Sequence, residues 1–338
     1  MTIHRLQWKR WGGAPGIGLS GVRAPRPRRG GDCDGSPPGD PGKDDPHRLM
    51  PNAARSCTVS HQSPPVLIMA AGAGTRMWPL CEQRPKPLLP VAGKPLIHHL
   101  LDGLIAIGVR EVVVLVHWQG QALRRYLLSP QRQWPADLQL RLLDQGQPLG
   151  TGHAVLRGGA DFQQPFLCLN GDVLVDPPAL QGFVRSAIAA SGPGQEVVMA
   201  LTEVPDVGRY GAVTVDGPRV VGLAEKSGQA RPGTINAGLY RFTPEFVALL
   251  EGLPPSPRGE VEVTDGLTRW LQQGTPVRGV PLQGRWRELT HPWDLLTLNE
   301  EWCEGLAPAV EGTVEGRRGR VRATVVELPF LDLPRKRG

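Results

Sequence analysis

Apolar and polar positions alternate along the chain in blocks, and from Val66 onward these blocks predict strands and helices in turn. The uninterrupted apolar run over residues 66–69 predicts a buried strand. Apolar residues at every third or fourth position over residues 94–108 predict a helix with one apolar face, which ends at Gly108. Strands that alternate with helices are typical of an α/β domain with a largely parallel sheet.

The remaining pattern extends this alternation and then changes. Strands are predicted over residues 111–117, 138–143, 165–170 and 196–202, and helices over residues 120–128, 152–158 and 178–190. Residues 211–215 and 219–224 then alternate on either side of Asp216-Gly217, which predicts a hairpin. The pattern closes with strands over residues 234–241 and 277–282 and with helices over residues 243–251, 260–273 and 292–302. We therefore predict a three-layer α/β/α sandwich with a mixed, mostly parallel sheet.

Charge and cysteine content exclude several classes of protein. The net charge of +6 divides into +5 over residues 1–65, +4 over residues 312–338 and −3 between them, so the predicted domain has no general basic footprint for nucleic acid. The five cysteines are odd in number and include no Cys-x-x-Cys pair, which argues against a disulfide framework or a zinc site. No apolar run approaches the roughly 18 residues of a membrane span. We expect a cytoplasmic protein with neither a nucleic-acid nor a membrane partner.

A run of small residues after the first predicted strand indicates a phosphate site. Residues 70–75 read Ala-Ala-Gly-Ala-Gly-Thr, which lets backbone N–H groups approach phosphate oxygens closely. Arg76 and Lys86 follow, and a guanidinium fork with a compact ammonium group suits a polyphosphate that loses one anionic piece. The run is not a Walker motif, which requires Gly-Lys-Ser/Thr, and it is not a dinucleotide motif, because position 77 is Met.

Two later segments carry further candidate residues. Asp172 follows the predicted strand over residues 165–170, at the end of the sheet where open α/β proteins bind ligands. From spacing alone, a metal or hydroxyl ligand and a turn-capping residue are equally good interpretations of Asp172. Gln145 precedes the turn Gly150-Thr151-Gly152, and its amide both donates and accepts, as the imide edge of uracil or thymine requires.

Together these segments resemble the signature of the sugar-1-phosphate nucleotidylyltransferases, which share the nucleotide-diphospho-sugar transferase fold. The family's Gly-x-Gly-Thr-Arg, Pro-Leu and Pro-Lys-Pro-Leu-Leu-Pro-Val-Ala-Gly-Lys-Pro motifs read here as residues 72–76, 79–80 and 85–95. The resemblance covers residues 66–304 and implies catalytic roles for Arg76, Lys86 and Asp172, with Asp172 as a ligand of Mg²⁺. It implies that the nucleotide is bound by Ala71, Gly72, Gly74, Thr75, Gln145, Gly150 and Thr151.

The resemblance continues into a predicted sugar-binding half. Residues 209–212, 224–226 and 235–240 are similar to the family's Tyr-Gly, Glu-Lys and Asn-x-Gly segments. The residues expected to bind the sugar phosphate are Gly211, Glu225, Lys226 and Asn236. One position departs from the family: its Trp-x-Asp, where the Asp is the second Mg²⁺ ligand, reads here as Trp286-Arg287-Glu288. Because Mg²⁺ demands near-octahedral geometry, the longer side chain of Glu288 leaves this second metal ligand open.

Both ends of the chain lie outside the resemblance. Residues 1–65 are rich in Pro, Gly, Arg and Ser, have no apolar period and are predicted to be disordered. Because Met50 lies in this segment, we hypothesise that the true start is later than residue 1. Residues 305–338 are predicted to be an irregular basic tail or a truncated β-helix start: residues 311–315 resemble a first hexapeptide coil, but no six-residue period follows. We expect no acyltransferase domain.

The resemblance implies a reaction. A nucleotidyl group would pass from UTP or dTTP to glucose 1-phosphate or N-acetylglucosamine 1-phosphate, with release of pyrophosphate and with Mg²⁺ as cofactor. A homo-oligomer is one expected assembly. Two alternatives stay open: a nucleotide-sugar-binding regulatory subunit that lacks the chemistry, and a mannose-1-phosphate guanylyltransferase.

Overall fold

The computed structural model describes residues 63–190, 196–224, 228, 230–256, 259–303, 310–316 and 319–325. The predicted disordered segment, residues 1–65, therefore lies outside the described residues except for its last three. Among the described residues, no helix combines the length and the apolar character that crossing a membrane requires.

Strands and helices alternate from Val66 as predicted, with boundaries that differ from the predictions by at most three residues. The strands are β1 (Val66–Met69), β2 (Pro90–Val91), β3 (Lys94–Pro95), β4 (Glu111–Val116), β5 (Gln139–Asp144), β6 (Phe166–Asn170), β7 (Val173–Val175), β8 (Val197–Val204), β9 (Ala212–Asp216), β10 (Arg219–Ala224), β11 (Gly233–Phe242), β12 (Val277–Pro281), β13 (Trp286–Glu288), β14 (Val310–Gly316) and β15 (Gly319–Val325). The α-helices are α1 (Leu96–Ala106), α2 (Gly120–Leu127), α3 (Thr151–Gly159), α4 (Pro177–Ala189), α5 (Pro244–Glu251), α6 (Val263–Gln272) and α7 (Asp294–Cys303).

The central sheet of the described residues has nine strands in the order β5-β4-β1-β6-β11-β8-β12-β10-β9. Strands β5, β4, β1 and β6 are parallel, and so are β8 and β12. Strand β11 runs antiparallel to both β6 and β8, and the β9–β10 hairpin adds further antiparallel pairs. The mixed sheet with helices is thus confirmed. Seven of its nine strands run in the same direction, and β10 and β11 run in the opposite one. Antiparallel pairs prevail in the second half because β11 inserts in reverse between β6 and β8.

Side chains of the sheet alternate between two separate cores. Val66 and Ile68 of β1 pack in one cluster with residues of α1 and α4, such as Phe183. Leu67 packs in the other cluster with residues of α3, α5 and α6, such as Phe246. This alternation follows from the two-residue period of a strand, and it explains why the first strand has no polar residue.

The structure differs from the predictions at one helix and at two short strands, and both differences matter for the site. The helix predicted to begin at Glu260 begins at Val263, because Glu262 has an extended backbone and Val261 hydrogen-bonds to the turn before α3. Strands β7 and β13 were not predicted, since each has only three residues. They pair antiparallel with Glu288 opposite Val173.

The tail predicted to be irregular contains regular structure. Strands β14 and β15 pair antiparallel over seven residues each. An antiparallel hairpin is not the stacked parallel coil of a β-helix, so the truncated β-helix start is also wrong. The alternating β-formers of residues 310–325 account for the strands.

Candidate active site

A cavity of about 530 Å³ opens at the carboxyl ends of β1 and β6. Open α/β sheets bind ligands at this edge, because successive parallel strands deliver their loops to it. The cavity is lined by residues 69–76, Lys86, Pro87, Gln145, Pro148, Gly150, Thr151, Ala154, residues 170–172, Glu260, Glu262, Glu288 and Thr290. Every residue predicted to be catalytic or to bind the nucleotide or metal is in this set.

The small-residue loop after β1 forms one wall of the cavity. Gly74 has φ of +62°, and a Cβ added there would lie 3.1 Å from Cys81 Sγ and 3.3 Å from Lys86 Cβ. The loop is anchored at its end by Met77, which is fully buried in a small core with Leu298 and other residues. Packing therefore fixes the loop at both ends, and Arg76 is presented to the cavity.

The two predicted catalytic residues Lys86 and Asp172 form an ion pair. Lys86 Nζ lies 2.7 Å from Asp172 Oδ2, and the side chains are 13% and 29% exposed. Lys86 begins a 3₁₀ turn over Lys86–Leu88, whose Leu88 is buried, and Asp172 follows β6 by two residues. Residues 86 apart in sequence thus meet at the floor of the cavity.

Glu288 reaches the same floor through the β7–β13 pairing. Its Cα partner is Val173, and Leu289 N donates to the carbonyl oxygen of Asp172 at 2.9 Å. Strand β13 is held in place by Trp286, which is buried and whose Nε1 donates to the carbonyl of Ala237 at 2.8 Å. Both predicted metal ligands therefore line one cavity on neighbouring backbone segments.

The residues present fit a hard divalent cation held together with a substrate. Asp172 and Glu288 offer carboxylate oxygens, which Mg²⁺ prefers. The described residues hold no cluster of three or more His, Cys, Asp or Glu side chains suited to a metal. Mg²⁺ is commonly bound in this way, by one or two carboxylates and substrate phosphates.

Gln145 is oriented by the turn that follows it. It is 5% exposed, and its Nε2 donates to the carbonyl of Gly150 at 3.2 Å and lies 3.3 Å from His153 Nδ1. The carbonyl can only accept, which fixes the amide orientation. Burial, aided by the charge of Arg157, lowers the pKa of His153, so the ring is neutral near pH 7 and Nδ1 can accept. Among the described contacts, Gln145 Oε1 has no hydrogen-bond donor and is left as an acceptor for a ligand.

Of the predicted sugar-binding residues, the structure describes Gly211 and Asn236, and neither of these two lines the cavity. Asn236 uses its amide internally, with Nδ2 donating to Tyr240 OH at 2.7 Å and Oδ1 accepting from Gly238 N at 3.0 Å. Gly211 lies just before β9, away from the cavity lining. Glu225 and Lys226 lie outside the described residues.

A second cavity of about 580 Å³ adjoins the first one. The two cavities share Arg76, Glu288 and Thr290. Tyr210, which precedes Gly211 in the predicted sugar segment, lines the second cavity. Burial raises the pKa of Tyr210, and the negative charge of Glu288 adds to this shift. Tyr210 therefore shares the second cavity with Glu288, which also lines the first one.

Sequence reasoning missed Glu260 and Glu262, which line the first cavity. Residues 259–263 read Gly-Glu-Val-Glu-Val, and this alternation with Gly at one end was a signal for an extended segment. The helical period of the residues that follow hid it. Asp294 was also missed as a structural residue: its Oδ2 accepts from Thr290 N at 2.8 Å and His291 N at 2.6 Å, which fixes the loop after β13.

Comparison with known proteins identifies relatives of this chain. A sequence model described as nucleotidyl transferase matches residues 65–305. The chain is 30% identical over 264 residues to the bifunctional protein GlmU of Methanococcus maripaludis, covering 77% of this chain and 60% of that protein. It is 29% identical to a glucose-1-phosphate thymidylyltransferase of Streptomyces antibioticus, covering 74% of this chain and 69% of that protein.

Solved structures agree on the fold. A UDP-glucose pyrophosphorylase from Acinetobacter baumanii superposes with a TM-score of 0.61 at 22% identity, covering 72% of this chain and 94% of that chain. A putative glucose-1-phosphate thymidylyltransferase from Bacillus anthracis gives a TM-score of 0.62 at 20% identity, covering 70% and 94%.

The extent of the match limits what carries over from the relatives. The chain spans 57–60% of the length of the GlmU proteins that it matches. The family match itself covers most of the chain and includes every residue that lines the cavity. The predicted family is therefore confirmed: the chain belongs to the nucleotidyl transferase family.

Proposed function

We propose that this protein transfers a nucleotidyl group from UTP or dTTP to glucose 1-phosphate or N-acetylglucosamine 1-phosphate and releases pyrophosphate. One observation carries the proposal. A single cavity contains the small-residue loop with Arg76, the Lys86–Asp172 ion pair, Glu288 and the Gln145–Gly150 turn. The loop with Arg76 and Lys86 suits a triphosphate, Asp172 and Glu288 suit a metal ion, and the Gln145–Gly150 turn suits a nucleobase.

The reaction requires in-line displacement at the α-phosphorus. An oxygen of the sugar phosphate forms a bond to this phosphorus, and the bond to the oxygen that bridges to the β-phosphate breaks, so pyrophosphate leaves with the electron pair. No protein nucleophile is needed, and catalysis rests on positioning and charge neutralisation. In the proposal, Arg76 holds the departing pyrophosphate and Lys86 holds the α-phosphate and the incoming phosphate.

The charge of the cavity supports a divalent cation. Its described lining has four carboxylates, from Asp172, Glu260, Glu262 and Glu288, against the two cations Arg76 and Lys86. A triphosphate would add further negative charge, which two cations cannot balance. In the proposal, Asp172 and Glu288 hold Mg²⁺, which when bound withdraws charge from the phosphate oxygens. Lys86, whose Nζ lies 2.7 Å from Asp172 Oδ2, would bind the phosphates beside that metal site.

Gln145 supports a base that carries a ring N–H donor. Its Oε1 is an acceptor, and uracil and thymine present the N3–H donor that it requires. Guanine also carries a ring N–H donor, so this contact alone does not separate the alternatives.

The proposal also includes the sugar-binding residues, the layered architecture, the location and the assembly that the sequence predicts. The sugar is placed by Gly211, Glu225, Lys226 and Asn236, with Tyr210 at the junction of the two cavities supporting the side from which it enters. The two cores on opposite faces of the sheet support a three-layer α/β/α sandwich. A cytoplasmic location and a homo-oligomeric state remain predictions.

A pyrophosphate-release assay tests the proposal. The full chain is incubated with Mg²⁺, one of UTP, dTTP, GTP, CTP or ATP, and one of glucose, N-acetylglucosamine or mannose 1-phosphate. We expect release only when a triphosphate and a sugar phosphate are both present, with UTP or dTTP preferred. Preference for GTP with mannose 1-phosphate would support the guanylyltransferase. Tight nucleotide binding without release would overturn the enzyme proposal and support the regulatory subunit.

A further inference from the structure

The turn that orients Gln145 is itself clamped by a distant segment, residues 260–263, which we name the strap. Val261 N donates to the carbonyl of Leu149 at 2.8 Å, and the carbonyl of Val261 accepts from Gly152 N at 2.7 Å. The strap thus hydrogen-bonds to the turn on both sides of Gly150. It joins two segments that are more than 100 residues apart in sequence.

Side chains complete the clamp. Thr151 Oγ1 donates to Glu262 Oε2 at 2.8 Å and accepts from Val263 N at 3.0 Å. Thr151 is the first residue of α3 and Val263 the first residue of α6, so one hydroxyl connects the starts of two helices. A hydrogen bond to a carboxylate is stronger than one between neutral groups, which makes Glu262 the dominant side-chain contact.

The strap also explains why the turn contains glycine. A Cβ added at Gly150 would lie 2.5 Å from the carbonyl oxygen of Val261, and one added at Gly152 would lie 2.9 Å from the same atom. Both contacts are with the protein's own backbone. The glycines of the turn are therefore required by the strap, whatever the ligand demands of them.

From this arrangement we propose that Glu262 is a positioning residue for nucleobase recognition, which acts through Thr151 and the Gly150 carbonyl on the amide of Gln145. The inference deepens the proposed function and rests on it. The Gly150 carbonyl accepts from Gln145 Nε2 at 3.2 Å, so a shift of the turn rotates the amide and moves Oε1 away from the base. Loss of the clamp then weakens triphosphate binding and base discrimination together, while the catalytic floor stays intact.

A second role for Glu262 must be separated from this one, because Glu262 also lines the cavity and could contact the nucleotide directly. A double-mutant cycle of Glu262→Gln and Thr151→Ala separates them. If Glu262 acts through Thr151, its substitution has little further effect once the hydroxyl is gone. If it contacts the nucleotide, the two effects multiply.

The experiment measures kcat and KM for UTP and for CTP, and KM for the sugar phosphate, for the wild type, both single variants and the double variant. We expect Glu262→Gln to raise the KM for UTP roughly tenfold and to reduce the preference for UTP over CTP, with kcat and the KM for the sugar phosphate little changed. Thr151→Ser, unlike Thr151→Ala, retains the hydroxyl, so its KM for UTP and its preference for UTP over CTP should match those of the wild type. Glu251→Gln, at the exposed carboxyl end of α5, is the matched control.

Multiplying effects in the double variant, or a fall in kcat with unchanged KM for UTP, would overturn the positioning role. Calorimetric titration with UTP alone distinguishes this failure from failure of the proposed function. A wild type that binds UTP but releases no pyrophosphate overturns the proposed function only, and the cycle is then judged on the dissociation constants. A wild type that binds none of the triphosphates overturns both.

Discussion

At the scale of single residues, the candidate site consists of side chains that are far apart in sequence and close together in the fold. Lys86 Nζ and Asp172 Oδ2 lie 2.7 Å apart in the cavity where the phosphates are expected. Glu288 joins them because β13 lies beside β7. Each of the three has a testable role.

Lys86→Ala should reduce kcat by about 10²–10³-fold, because it removes a preorganised cation from the reacting phosphates. The fold should persist, since the Lys86 side chain contributes no apolar core. The measurement is pyrophosphate release, with circular dichroism as the check on folding. Lys94→Ala is the matched control: it breaks another Lys–Asp ion pair, to Asp102 at 2.8 Å, outside the cavity. A folded Lys86→Ala variant with near-normal kcat would remove Lys86 from the mechanism.

Glu288→Gln should raise the Mg²⁺ concentration needed for half-maximal rate, because the amide keeps the shape of the side chain and loses its charge. Glu288→Asp should be neutral or better, since it restores the shorter carboxylate expected from the family resemblance. Initial rates titrated with Mg²⁺ for the three proteins check this. Superimposable curves would show that Glu288 is not a metal ligand.

At the scale of elements, the nucleotide half of the cavity depends on contacts between loops. The turn before α3 is shaped by the strap, and the loop after β1 is shaped by Cys81 and Lys86. Such loops are positioned by a rigid sheet and carry the functional groups. The glycines in these loops therefore differ in how much space their surroundings leave for a side chain.

Gly150→Ala should destabilise the protein more than Gly146→Ala does. Both glycines have positive φ, +101° and +73°, so each substitution incurs backbone strain of about 1–3 kcal/mol. Only Gly150 also faces a backbone atom, at 2.5 Å, whereas a Cβ at Gly146 meets nothing within 4 Å. Urea unfolding of both variants, with KM for UTP, provides the comparison. Equal losses would mean that the strap yields to the methyl group.

At the scale of the whole molecule, the described domain begins at its first strand. Val66 is fully buried, and the carbonyl of Pro65 accepts from Leu167 N at 2.9 Å. The prediction that residues 1–65 bury too little apolar surface to pack falls almost entirely outside the described residues. It stays a prediction. Because Pro65 is hydrogen-bonded to the domain, a truncation that tests it must end before Pro65.

A variant that lacks residues 1–62 should keep its activity and melt within about 3 °C of the full chain, because a loss of 1 kcal/mol already shifts the melting temperature of such a domain by about 2–4 °C. A variant that lacks residues 1–66 should melt well below both, since it loses Pro65 and Val66. Calorimetry of the three proteins checks this. A large drop for the first truncation would show that the removed segment packs on the domain.

The sequence by itself determined the elements and most residues of the cavity. The apolar run of β1 and the apolar period of α1 are local patterns, so the elements could be predicted within a few residues. The small-residue loop, Arg76, Lys86, Asp172 and the Gln145 turn all follow strands or lie in contiguous motifs. Their gathering at one sheet edge follows from the parallel arrangement of β1 and β6.

Only the tertiary structure decided the contacts between segments distant along the chain. Three-residue strands such as β13 have too little period to be seen, yet β13 brings Glu288 to Asp172. The strap was hidden because the backbone hydrogen bonds of Val261 to the Gly150 turn hold it outside the helix, next to a helical pattern that begins directly after Glu262. Long-range hydrogen bonds leave no periodic trace in a sequence, and this is why the strap and the reversed strand β11 could be found only in the folded protein.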